Sequence, residues 1–222
     1  MKKNRMIPIA LVAVMATGTI IVDTLISTRI TTRVIEVMPR ATDVTASVPL
    51  LELPANIVND SIKSVHIDVG QYQLQNSTFK PSLAIDARNI SKASPNVIGS
   101  LDVTATISAA TIMQLTDFSD AQIVGNTLQV SVGSGGFGTA VLIPKYLDNQ
   151  IYFELQGVSL FGNEIPADSL PAEIKDQIKA KSVRTLSPPQ GMSVKSISLS
   201  QEGLALTMQG KNFKAANLGS TF

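Results

Sequence analysis

Val65-His66-Ile67-Asp68-Val69 sets three aliphatic side chains on one side of an extended chain and His66 and Asp68 on the other. Strict alternation of this kind is the mark of a β-strand with one face buried and one face wet. Working outward, the same texture returns at Leu83, Ile85 and Ala87, at Leu101, Val103, Ala105 and Ile107, and at Leu128, Val130 and Val132. Further strands are expected at Gly138 to Ile143, Ile151 to Leu160, Ser193 to Leu199 and Gly203 to Gly210. Gly125-Asn126, Asp148-Asn149 and Glu202-Gly203 lie between such runs, and these residue types supply the positive backbone angles that tight hairpins need.

Two stretches interrupt the strands. Ser108 to Leu115 carries Ala109, Ala110, Ile112, Met113 and Leu115 at helical spacing. Ala167 to Lys181 carries Leu170, Ile174 and Ile178, with Asp168 placed to cap and Pro171 in the first turn. Strands outnumber helices and short turns join them, so the chain reads as α+β, one long antiparallel sheet packed with one or two helices. No repeat or linker divides it, and a single domain is expected over 24–222.

The N-terminus has a different character. Lys2, Lys3 and Arg5 precede a stretch without charge from Met6 to Val22, and Asp23 follows it. A basic flank followed at once by an apolar run suits an export signal better than a core helix. Cleavage after Ala16, with Val14 at the minus-three position, would leave a short apolar region, so residues 1–23 read as an uncleaved signal anchor in preference to a signal peptide. The positive flank stays in the cytoplasm and the rest of the chain lies outside it. Leu25, Ile26, Ile30, Val34, Ile35 and Met38 then continue a helical spacing that Pro39 stops.

Composition narrows the chemistry. The chain of 222 residues has no cysteine and one histidine, which removes thiol catalysis, disulfide frameworks and Cys- or His-rich metal sites. Eighteen basic and seventeen acidic residues, with no long run of either sign, argue against a nucleic-acid partner. His66 is the one histidine a Ser-His-Asp triad could use, no serine sits in a nucleophile elbow, and on the polar side of a strand the residue reads as a solvated or hydrogen-bonded group. Gly133-Ser134-Gly135-Gly136-Phe137-Gly138 matches the dinucleotide pattern, but Thr139 to Ile143 is a β-branched run where that fingerprint needs a helix. Asn59, Asn76 and Asn89 head glycosylation sequons by pattern alone. No enzyme activity, cofactor or metal is expected.

A binding role follows by elimination. An antiparallel sheet with aliphatic residues on its inner face, closed by amphipathic helices, can form a groove for acyl chains. Val65, Ile67, Val69, Leu83, Ile85, Leu128 and Val130 are the candidate lipid-binding residues. The same residues could instead fill an ordinary core, which leaves open a structural or partner-binding envelope protein with no lipid ligand.

The C-terminal run from Leu186-Ser187-Pro188-Pro189-Gln190-Gly191 through Met192 to Leu199, then Glu202-Gly203-Leu204-Ala205-Leu206 and Gly210-Lys211-Asn212-Phe213, resembles the closing hairpin of the LmeA-like phospholipid-binding family of actinobacteria. The upstream order is similar too: basic N-terminus, helix, the strand of Val65 to Val69, and Leu101-Asp102-Val103-Thr104-Ala105-Thr106-Ile107 running into a short helix at Ala109. The resemblance spans roughly Thr24 to Phe213. It implies an elongated, curved sheet similar to tubular lipid-binding domains, following an N-terminal membrane helix. It also implies a periplasmic protein at the extracytoplasmic face of the cell membrane that binds phospholipid, of phosphatidylinositol type, and supports lipoglycan assembly in the cell envelope. Ser47-Val48-Pro49-Leu50-Leu51 departs from the family's gly-phe-pro-phe-leu region by lacking both aromatics.

Overall fold

The computed structural model describes residues 28, 31–32, 34–36, 38–49, 60–73, 80–91, 97–115, 120–132, 138–186, 188 and 190–214. The signal anchor expected over 1–23 lies outside them. Among the described residues no helix is long and apolar enough to cross a membrane. Thr28, Thr31, Thr32 and residues 34–36 are helical, Val34 is buried, and the chain turns at Pro39 and Arg40.

The α+β reading stands, but the strands form two antiparallel sheets where the sequence suggested one. The first sheet has the order β1 (Ala41–Ser47), β2 (Ser61–Tyr72), β3 (Ser82–Ser91), β4 (Val97–Ser108), β12 (Gly203–Lys214) and β11 (Met192–Ser200). The second has the order β10 (Arg184–Thr185), β8 (Gln150–Leu160), β7 (Gly138–Leu147), β6 (Thr127–Val132) and β5 (Gln122–Val124), with β9 (Asn163–Pro166) also on β8. Alternation along a strand fixes which face is buried and does not choose the neighbouring strand, which is why periodicity left the number of sheets undecided. By their contacts the strands and helices fall into two compact units. Unit 1 holds residues 1–105, 189–193 and 207–222, and unit 2 holds 106–188 and 194–206. β4, β11 and β12 each contribute residues to both.

In unit 1, β1 and β3 flank β2 in register: Val44 and Leu83 lie opposite Val69, and Ala46 and Ile85 lie opposite Ile67. The strands do not keep one face buried along their whole length. Buried residues fall three apart, rather than two, at Ala41 and Val44, Val69 and Tyr72, Ile62 and Val65, Ala87 and Ile90, and Ile98 and Leu101. A left-handed residue accompanies these steps. Asp43 has φ 54° and Asn89 has φ 52°. Asp and Asn tolerate this region better than other residues with a Cβ, and the local kink turns the buried face over. Each meets a glycine on the next strand: a Cβ on Gly70 would come 2.8 Å from the Asp43 Cβ, and one on Gly99 would come 3.0 Å from the Asn89 Cβ. Gln209 Nε2 donates to Asp102 Oδ1 at 3.0 Å and the Thr104 and Thr207 hydroxyls meet at 3.3 Å. Both pairs share one antiparallel register of β4 on β12.

In unit 2, β7 and β8 form the longest hairpin, closed at Asp148 and Asn149 with φ 52° and 59°. Leu142 pairs with Leu155 and Val141 with Gly157, so Gln156 is an extra residue that bulges β8. The short helix α1 (Ala109–Leu115) begins where expected, and the Ser108 hydroxyl accepts the Thr111 amide at 3.3 Å as its cap. The helix expected from Ala167 is split. A 3-10 turn, Ala167–Ser169, precedes α2 (Ala172–Ser182), and Leu170 between them is extended with ψ 149°. Pro171 causes the break, because its ring disfavours helical geometry in the residue before it. Asp168 therefore sits inside the 3-10 turn and does not cap α2, whose N-cap is Pro171.

Candidate functional site

The aliphatic candidates fall into two groups. Val65, Ile67, Val69, Leu83 and Ile85 share the buried face of β2 and β3 in unit 1, with Ile67 opposite Ile85 and Val69 opposite Leu83. Leu128 and Val130 lie on β6 in unit 2, opposite Leu142 and Ala140 of β7. Side chains across non-local antiparallel pairs sit close enough to pack directly, so each group forms a patch without gaps in the register. All are between 0% and 5% exposed. Val103 and Met208 of unit 1 and Phe153 and Leu155 of unit 2 share this burial and were absent from the sequence-derived set. Burial of so many aliphatic groups supplies most of the drive for each sheet, at roughly 25 cal/mol per Å² of apolar surface.

The opposite face of unit 1 is polar and carries the titrating group. His66 Nδ1 lies 2.8 Å from Asp86 Oδ1 and Nε2 lies 3.1 Å from Asp68 Oδ2. β-geometry brings them together: Asp86 is directly opposite His66 across β2 and β3, and Asp68 is two residues along the same strand. Ser47 of β1 is opposite from the other side. The hydrogen bond to Asp86 raises the His66 pKa above its ordinary value. Partial burial works against this, and the negative charges of Asp68 and Asp86 add to it. Both ring nitrogens can donate at once only when the imidazole is protonated, so the two carboxylates favour the protonated ring. The reading of His66 as a hydrogen-bonded group on the polar face agrees with this placement.

Other sequence features resolve as follows. Gly138 opens β7, and residues 139–147 continue as strand, so the glycine-rich segment is not followed by a helix. Residues 133–137 lie outside the described residues, as do Asn59, Asn76, Leu50 and Leu51. Asn89 of the third sequon holds a left-handed backbone in β3 beside buried Ile90. Among the described residues, no group of three or more histidine, aspartate or glutamate side chains is placed to hold a metal ion.

Two residues stand out that the sequence reading passed over. Ser182, 5% exposed, is among the described residues the one buried polar side chain. Its hydroxyl accepts the Phe153 amide at 2.9 Å and lies 3.0 Å from the Lys179 carbonyl, to which it can donate. β10 pairs with β8 at Gln150 and Ile151 and β9 pairs from Gly157 onward, so Phe153 sits in the gap between them. Ser182 fills that gap from the end of α2. Lys179, one turn earlier, places its ammonium 4.5 Å from the centre of the Tyr152 ring and ties α2 to the same strand. The other residue is Phe161, 80% exposed at the turn between β8 and β9. A serine near a helix C-terminus and a lone phenylalanine before glycine carry no sequence signal for either role.

No family model matches the chain, and no curated protein or solved structure is similar to it, so the likeness to the LmeA-like family rests on the residues quoted above.

Proposed function

We propose that this protein is a non-enzymatic phospholipid-binding protein held at the outer face of the cytoplasmic membrane, where it supports assembly of envelope lipids or lipoglycans. The observation that carries the reading is the pair of extended aliphatic faces, one on β2 and β3, backed by a polar face, and one on β6 and β7. Acyl chains gain from contact with such surfaces about as much as leucine side chains do. The charge-free run from Met6 to Val22 behind Lys2, Lys3 and Arg5 supports the location. The phosphatidylinositol class comes from the family resemblance alone.

A second reading, an envelope protein that binds a protein partner or serves a structural role, is favoured by one observation. A groove open to a ligand exposes part of its lining, and the candidate residues are at most 5% exposed. Native mass spectrometry of protein isolated without detergent separates the two. Phospholipid carried through preparations supports the first reading, and a clean protein mass supports the second. Ile67→Lys sharpens the distinction. In a space that normally holds an acyl chain, the lysine can reach water along its own stem, and the variant stays folded but loses lipid. In a filled core it buries an unpaired charge and the protein fails to fold.

A further inference from the structure

Charge is spread unevenly over unit 2. Residues 175–184 hold four of its six basic residues and one of its nine acidic ones. Lys175 and Lys179 lie one turn apart on the same side of α2, where like charges oppose helix formation instead of aiding it. Among the described residues neither has a carboxylate partner, whereas Lys145 on β7 is paired with Glu154 at 3.4 Å. Ile174 and Ile178 run alongside, each one position before a lysine, and Ile174 is 41% exposed. The contacts that tie α2 to β8, at Ser182 and Lys179, fall in the second half of the helix. Ile174 and Lys175 take no part in them.

The surroundings indicate the occupant. At a lipid surface a lysine head meets phosphate while its stem lies along the acyl boundary, and an aliphatic side chain beside it enters that boundary. The two stripes of α2 supply both kinds of group side by side. Outside residues 175–184, unit 2 has two basic residues against eight acidic ones, so an anionic surface attracts this face and repels the remainder. Charge complementarity thereby selects an orientation as well as an occupant.

We infer that α2 is the contact of unit 2 with an anionic lipid bilayer, Lys175 and Lys179 meeting the headgroups and Ile174 entering the boundary beneath them. The choice of a lipid surface over an acidic protein rests on the function proposed above. The charge asymmetry and the exposure of Ile174 do not.

The chain contains no tryptophan, so Ile174→Trp adds a single reporter on α2. Val124→Trp is the matched control, since Val124 is 46% exposed on β5, at the edge of the second sheet three strands from β8. Full-length variants are bound to vesicles whose acyl chains carry bromine, made of phosphatidylcholine alone or of phosphatidylcholine mixed with phosphatidylglycerol, and the vesicle-bound protein is recovered by flotation. The expected result is several-fold stronger quenching and a blue shift at position 174 in the phosphatidylglycerol vesicles, lost at high salt, with little change at 124 in either. Two charge variants in the Ile174→Trp background set the direction. Each basic side chain near an anionic surface is worth about fivefold in binding. Lys175→Gln should weaken the contact about fivefold, and Asp176→Lys, at an exposed position, should strengthen it by more than that. Quenching at 174 that is absent, equal in the two kinds of vesicle, or unmoved by both charge variants overturns the inference. Each of these can occur in a protein that still carries phospholipid through native mass spectrometry, so the contact can fail while the lipid reading survives.

Discussion

Removing the Ser182 hydroxyl tests how β8 is held where β9 and β10 leave it uncovered. In Ser182→Ala the Phe153 amide loses its acceptor at 2.9 Å, and the Lys179 carbonyl loses a donor at 3.0 Å. The amide is the more costly loss. Phe153 is 4% exposed and Ser182 5%, so water does not readily replace the hydroxyl, and an unsatisfied buried donor costs about 1–3 kcal/mol. Alanine's better helix propensity returns at most about 0.5 kcal/mol, and less at the last residue of a helix. The net expectation is a loss of about 1–2 kcal/mol. Urea unfolding reads the total, and hydrogen exchange at the Phe153 amide reads the location. That amide should exchange much faster in the variant, while amides of β6 and β7 paired at Leu128 and Leu142 should change less. Ser182→Thr keeps the oxygen and should retain most of the protection. A Ser182→Ala protein with unchanged stability and a still-protected Phe153 amide would refute the reasoning, since some other group would then be satisfying the donor.

The His66 clamp gives a pH dependence with a definite sign. Its pKa is raised in the folded chain, so its contribution is fully present below the ordinary value of 6.5 and is lost as pH rises through the folded value. The effect is small because the ring and both carboxylates are 41–54% exposed. By NMR titration, Asp86→Asn should lower the His66 pKa further than Asp68→Asn does, since the Asp86 hydrogen bond is its leading cause. His66→Ala should leave lipid binding nearly unchanged, and loss of binding in a folded variant would revive a catalytic reading. Gly203→Ala should destabilise the β11–β12 hairpin by more than about 2 kcal/mol in thermal unfolding, because φ is 142° and the new Cβ would fall on the Ile107 carbonyl oxygen. Gly70→Ala should cost more in the native background than in Asp43→Gly, since the clash is with the Asp43 Cβ; equal costs in this double-mutant cycle would disprove the contact.

Strand content was legible wherever one residue type alternated cleanly, as in Val65 to Val69 or Leu128 to Val132, and Gly125-Asn126 and Asp148-Asn149 do close hairpins, while the third turn falls one residue early, at Gln201 and Glu202, with Gly203 opening β12. β1 was invisible because Ala41 and Val44 are its buried residues and their spacing breaks at Asp43. β9 was missed because a phenylalanine occupies a turn position that normally announces itself with Asn or Asp. The division into two sheets depends on β4 meeting β12 across about half the chain, and no local pattern encodes such a pairing. At the candidate site, the residues that would be buried could be read from alternation. Whether they line a groove or fill a core could not, because both demand the same side chains. Ser182 escaped notice because its role comes from neighbours distant in sequence.

The left-handed residues set against glycines have a consequence for how the first sheet assembles. β2, β3 and β4 are long and built from similar aliphatic and hydroxyl residues, so neighbouring alignments offset by two places would keep apolar groups together and compete with the correct one. The pairs Asp43 with Gly70 and Asn89 with Gly99 work like a key and a slot. Any offset would bring a residue with a side chain against the kinked Asp or Asn, at a spacing that already leaves no room for a Cβ. Mispaired strands would therefore be rejected sterically as they zip together, and the uniformity of the sequence would not translate into ambiguity of the fold.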